Sequence, residues 1–115
     1  MGDAKDPSAL EKYKAVLKLA KFTGYIEWRL LPLGWIAEHL TDVDARDVNE
    51  LMAGHVQAGG KIDQVEERRA EYLDFRFHYD FRLKIGERRV YIETILDERE
   101  DAEDCTIWVV NIHDA

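Results

Sequence analysis

Between Leu73 and Ile85 apolar and polar residues alternate without a break. The odd positions read Leu, Phe, Phe, Tyr, Phe, Leu and Ile, and the even ones are Asp74, Arg76, His78, Asp80, Arg82 and Lys84. Successive side chains of a strand point to opposite faces, so a period of two over this length predicts a β-strand with one buried and one wet face. Gly86-Glu87 follows, with glycine at the first central position of a two-residue type II′ turn. The turn returns the chain into a second strand whose Val90, Ile92, Thr94 and Leu96 face the core, with Arg89, Tyr91, Glu93 and Ile95 opposite. A third strand, Thr106–His113, is apolar on both faces, which predicts a central or doubly covered position.

The first half of the chain has the other period. Ala9, Tyr13, Val16, Leu17 and Ala20 recur at helical spacing, so a helix is expected from Ala9 to Phe22, opened by a Ser8–Glu11 capping box and stopped at Gly24. Residues 25–40 hold Pro32 and Gly34 in their middle, so either two short helical turns or a short strand followed by a helix ending near Leu40 would fit. Their apolar residues (Trp28, Leu30, Leu31, Leu33, Trp35, Ile36) predict burial. Asp44 is an expected N-cap with Asp47 in the first turn, Val48, Leu51, Met52, His55 and Val56 form a stripe, and Gly59-Gly60 ends the helix. On that stripe a packed, hydrogen-bonded His55 is expected rather than a ligand. Residues 61–70 read as a helical turn or as the approach to the sheet. The expected fold is α+β: N-terminal helices packed on one face of a three- to four-stranded antiparallel meander formed by the C-terminal half. Residues 1–115 are expected to form one domain, with 1–7 as a flexible tail.

Composition narrows the function classes. The chain is 46% hydrophobic and 35% charged, as a folded globular protein is. No apolar run reaches the roughly 20 residues that span a bilayer, and no basic-then-apolar leader opens the sequence. Cys105 is the one cysteine, so no internal disulfide or cysteine-based zinc site forms, and a reducing, cytoplasmic location is expected. The net charge of −8 is uneven: residues 1–40 carry six Lys/Arg against five Asp/Glu, residues 41–115 ten against nineteen. Such a field disfavours a phosphate backbone, so a protein partner or a homodimer is expected before a nucleic acid, and no membrane. The acidic stretch 97–104 lacks the alternating ligands and central glycine of a calcium loop and reads as a solvated turn. No metal-ligand spacing and no phosphate-cradling loop is present, so neither a metal nor a cofactor is expected.

The chemistry available lies on the polar face of the sheet. His78, Arg89, Tyr91 and Glu93 are the candidate catalytic groups, with Arg76, Asp80, Arg82 and Tyr72 as candidate binding residues. Facing residues of an antiparallel pair hold their Cβ atoms about 5 Å apart, so a histidine, a tyrosine, carboxylates and guanidiniums must meet there. Together they have the makings of general acid–base chemistry beside a developing negative charge. A solvated face laced with cross-strand ion pairs is the plainer expectation.

The order of elements adds a family reading. Asp47-Val48, Leu51 and Gly59-Gly60 on a helix precede a long strand, a glycine-turn hairpin bearing Arg89-Val90-Tyr91, and a closing Thr106–His113. Over residues 39–113 this resembles the small domains grouped with RelE-type ribonuclease toxins, including MqsR-like toxins and related domains of unknown function. The resemblance implies a metal-independent RNA-cleaving fold with its catalytic groups on the open sheet face and a protein antitoxin as partner, with His78, Arg89 and Tyr91 inheriting that role. Such toxins are basic where this chain is acidic. The function expected is therefore a non-catalytic protein-interaction domain diverged from a toxin-like fold, with a toxin-type ribonuclease acting from the polar face as the alternative.

Overall fold

The computed structural model describes residues 5–20, 26–101 and 104–115. In chain order they form α1 (Pro7–Ala20), β1 (Ile26–Trp28), α2 (Leu30–His39), α3 (Ala45–Gln57), β2 (Asp63–Glu66), β3 (Phe77–Ile85), β4 (Arg88–Asp97) and β5 (Thr106–Asp114), with a short 3-10 turn at Ala70–Tyr72. The expected α+β class and the order of helices before strands hold. The sheet differs from expectation: it has five strands in the order β1-β5-β4-β3-β2 and is mixed, because β1 runs parallel to β5. The sequence from 25 to 40 thus takes the strand-then-helix alternative, and 61–70 supplies an edge strand.

The β3–β4 hairpin closes as its turn residues dictate. Gly86 has φ +62°, Glu87 does not share the positive sign, and Ile85 pairs with Arg88, which is the type II′ geometry. β3 starts later than the alternation suggests. Leu73 is 70% exposed, because the 3-10 turn and the Phe75 N–H bond to the Tyr72 carbonyl satisfy that backbone locally before the ladder begins. β5 lies between β1 and β4, an internal position as expected, but one of its faces is only half-buried, at Trp108 and Val110. A register shift opposite Glu93/Thr94 leaves Val110 as the extra residue in β5.

Two helix starts show local chemistry at work. The Asp44 and Asp47 carboxylates each accept the other's backbone N–H, at 2.9 and 3.0 Å, completing the expected cap of α3. In α1 the expected Ser8 cap is replaced. Asp6 accepts the Ala9 N–H at 3.1 Å, and Pro7 sits in the first helical position, where its missing N–H costs nothing. Asp6 is therefore no tail residue. Its N–H and carbonyl bond the side-chain amide of the buried Gln64, and its carboxylate meets Arg76 at 3.0 Å. Phe22 and Gly24, the expected end of α1, lie outside the described residues.

Tyr13, Val16 and Leu17 of α1, Ile36 of α2, and Val48 and Met52 of α3 join Tyr79, Phe81, Leu83, Val90, Ile92, Ile107, Val109 and Ile112 in one core cluster. Thr94 is the polar member of that face: it accepts from the Tyr13 hydroxyl at 2.6 Å and donates to the Tyr79 carbonyl at 2.8 Å. His55 donates to the Lys61 carbonyl at 2.7 Å, the packed role expected of it, while Leu51 stands at the exposed margin of its stripe. Burial of the whole 25–40 apolar run is not realised. Pro32 and Ile36, one turn apart, are the buried positions of α2, and Leu30 and Leu31 are left 85% and 88% exposed.

Candidate functional site

The sheet face away from the core carries His78, Asp80 and Arg82 from β3 and Tyr91, Glu93 and Ile95 from β4. Register places Asp80 opposite Glu93, Arg82 opposite Tyr91, and His78 opposite Ile95. The segment between β2 and β3 crosses this face, because Arg69 reaches over β3 to the carboxylate of Glu93. Beneath it Asp80, Glu93 and Glu67 are buried and Ile95 is wholly so.

Asp80 is the hub. One oxygen accepts the His78 Nδ1–H at 2.7 Å and the other accepts the Tyr91 hydroxyl, also at 2.7 Å. The bond to Asp80 favours charged imidazole and pushes the His78 pKa up. Burial, then the carboxylate accepting its proton, pushes the Tyr91 hydroxyl well above a phenol's usual range. The His113 ring stacks on Tyr91 at 4.7 Å, and the Arg82 guanidinium stands 5.3 Å over the same ring while pairing with Asp63.

A second network adjoins the first. Arg69 grips Glu67 with two bonds of 2.8 Å, donates to Glu93, and lies 4.7 Å above the Tyr72 ring. The bidentate hydrogen bonds hold the Glu67 carboxyl at about 2 despite its burial. His78, Asp80 and Glu93 each offer one nitrogen or oxygen atom to a common volume, all within 4.8 Å of one another.

Of the eight residues singled out in the sequence, five therefore take part: His78, Asp80, Tyr91 and Glu93 converge, and Arg82 braces Tyr91. Tyr72 stands beside them as the platform under Arg69. Arg89 does not join them, because it lies nearer the hairpin turn, exposed and opposite Lys84. Arg76 precedes β3, and its guanidinium meets Asp6 and covers the Phe77 ring. The sequence reading missed Glu67 and Arg69, which sit in a stretch without period, and His113, which reaches Tyr91 only through the β4–β5 pairing.

Elsewhere, Cys105 is buried, with its sulfur accepting the Arg99 N–H at 3.1 Å. A groove of about 460 Å³ runs between α1 and α3, lined by Ala15, Leu17, Ala53 and Val56 with Lys14 and Lys18 at its rim. Among the described residues no helix is long and apolar enough to cross a membrane. No protein-family model, no curated protein and no solved structure matches this chain.

Proposed function

We propose that the protein is an interaction domain that associates with a second copy of itself through the start of α2. The observation that carries this reading is the trio Leu30, Leu31 and Leu33, which are 85%, 88% and 39% exposed within the first turn of one helix. Together they expose roughly 350 Å² of leucine, within the range of the largest apolar patch on a typical monomer, which is often functional. The flanking charges Glu27, Arg29 and Glu38 are of both signs. The patch also belongs to residues 1–40, which carry six Lys/Arg against five Asp/Glu, so two copies meet there without opposing their acidic parts. Two patches covering one another remove roughly 700 Å² from water, short of the roughly 1,200 Å² of a stable interface, so the dimer is weak and concentration-dependent.

Sedimentation velocity from low to high micromolar concentration tests this. The wild type is expected to shift reversibly towards a dimer, and Leu30→Asp/Leu31→Asp to stay monomeric with unchanged circular dichroism. A wild type that stays monomeric throughout sinks the reading.

A second reading is favoured by the His78–Asp80–Tyr91 chain. An imidazole whose pKa is raised by its carboxylate partner, beside a phenol, has the proton-donating half of metal-independent RNA cleavage. It ranks second because Arg69 and Arg82, the cations available to a phosphate, are both engaged by carboxylates of the chain itself. Incubation with total RNA decides it: cleavage lost in His78→Ala supports the reading, and intact RNA removes it.

A further inference from the structure

We infer that His78, Asp80 and Glu93 form a binding site for a divalent first-row transition ion such as Zn²⁺ or Mn²⁺. Backbone geometry makes the site. His78 and Asp80 stand two positions apart on one face of β3, and Glu93 faces Asp80 across the β3–β4 ladder. The three donor atoms already lie within 4.8 Å of one another, so about an ångström of contraction brings them to metal-ligand distances near 2.1 Å.

The donor set selects the ion. One imidazole nitrogen with two carboxylate oxygens suits zinc, manganese or iron, whereas calcium and magnesium prefer oxygen alone. Three protein ligands leave a coordination position for water or a further group. The ligands are also held from behind. The Tyr91 hydroxyl fixes the far oxygen of Asp80, and Arg69 fixes one oxygen of Glu93. The Glu93 side chain is 92% buried, and its bond to Arg69 is made through one oxygen.

Charge counts the same way. Asp80, Glu93 and Glu67 are opposed within the cluster by Arg69 alone once the imidazole is neutral, as a metal ligand must be. Asp63 beside it is met by Arg82 and by the exposed Lys61. Two negative charges then remain in a buried volume, which a divalent cation neutralises.

The test uses the whole chain after dialysis against a chelator. Calorimetric titration with Zn²⁺ is expected to give one site per chain, absent with Mg²⁺, and at least about tenfold weaker in His78→Ala and in Glu93→Gln. The control variant His39→Ala, on a surface histidine outside the site, is expected to bind as the wild type does. Since the buried variants could fold poorly, Mn²⁺ broadening of wild-type amide resonances gives an independent reading: signals of residues 78–80 and 93 are expected to vanish first. Absence of binding at millimolar Zn²⁺, affinity unchanged in His78→Ala, or broadening confined to the acidic 97–104 loop would each overturn the assignment.

Discussion

Replacing Arg69 by Met leaves two buried carboxylates without their shared cation. The Glu67 side chain is 1% exposed and Glu93 8%, while Arg69 itself is 37% exposed. A charge-assisted hydrogen bond contributes roughly 1.5–3 kcal/mol, and breaking one partner out of a buried ion pair costs roughly 3–5 kcal/mol. Water reaches the guanidinium, so screening removes part of that, and methionine retains some packing on Tyr72. The expected destabilisation is about 3 kcal/mol at pH 7, or about 12 °C in Tm for a domain of this size. The pH dependence carries the diagnosis. Arg69 holds Glu67 at about 2 against an ordinary 4.5. A carboxyl whose folded value is depressed contributes stability above its unfolded value and loses it as pH falls through the folded one. The gap between wild type and Arg69→Met should therefore be full at pH 7, begin to close below pH 4.5, and be much reduced by pH 3. Urea unfolding followed by tryptophan fluorescence at pH 7, 4.5 and 3 measures it. A difference under about 1 kcal/mol at pH 7, or one constant across the three pH values, would refute the bridge.

Two further expectations concern the core side. Thr94→Val leaves the buried Tyr13 hydroxyl without its partner, removes one bond to the Tyr79 carbonyl and should cost about 2 kcal/mol, against about 1 for Tyr13→Phe. Their combination should cost less than the sum, and strict additivity in urea unfolding would show that the hydroxyls do not meet. Gly60→Ala drives a methyl into the ring and carbonyl of His55 and should lower stability by about 1–3 kcal/mol, whereas Gly34→Ala, with open space at its Cβ, should not. Equal melting temperatures for the two glycine variants would contradict that packing.

The hairpin was legible before any coordinates because its turn fixes its register. Once Gly86-Glu87 is a two-residue turn, Asp80 must face Glu93 and Arg82 must face Tyr91. Half of the candidate site follows from that one pairing. Arg89 stands apart by the same arithmetic: opposite Lys84, it is too close to the turn to meet the others. Glu67 and Arg69 could not be found by period, since they lie in an irregular crossing whose position depends on where β2 pairs. β1 stayed one of two alternatives, because three residues inside an apolar run hold only one and a half repeats of alternation. The exposure of Leu30 and Leu31 escaped for a related reason. Apolar density says that a segment prefers burial but not which of its residues the neighbouring elements have room to cover.

The parallel pairing of β1 with β5 has a kinetic consequence. Ile26 and Ile107 lie 81 positions apart, whereas the hairpin is closed by Ile85 and Arg88, three apart. Loop-closure entropy alone makes the longer connection about 3 kcal/mol dearer. The hairpin is thus suited to form early, with the three-residue strand docking late and leaving first. Each time β1 leaves, it bares one edge of β5, a strand apolar on both faces with its backbone groups ready to pair with another chain. Protection from aggregation therefore rests on the smallest strand of the sheet, and amide exchange at Ile26–Trp28 measures how often that guard is down.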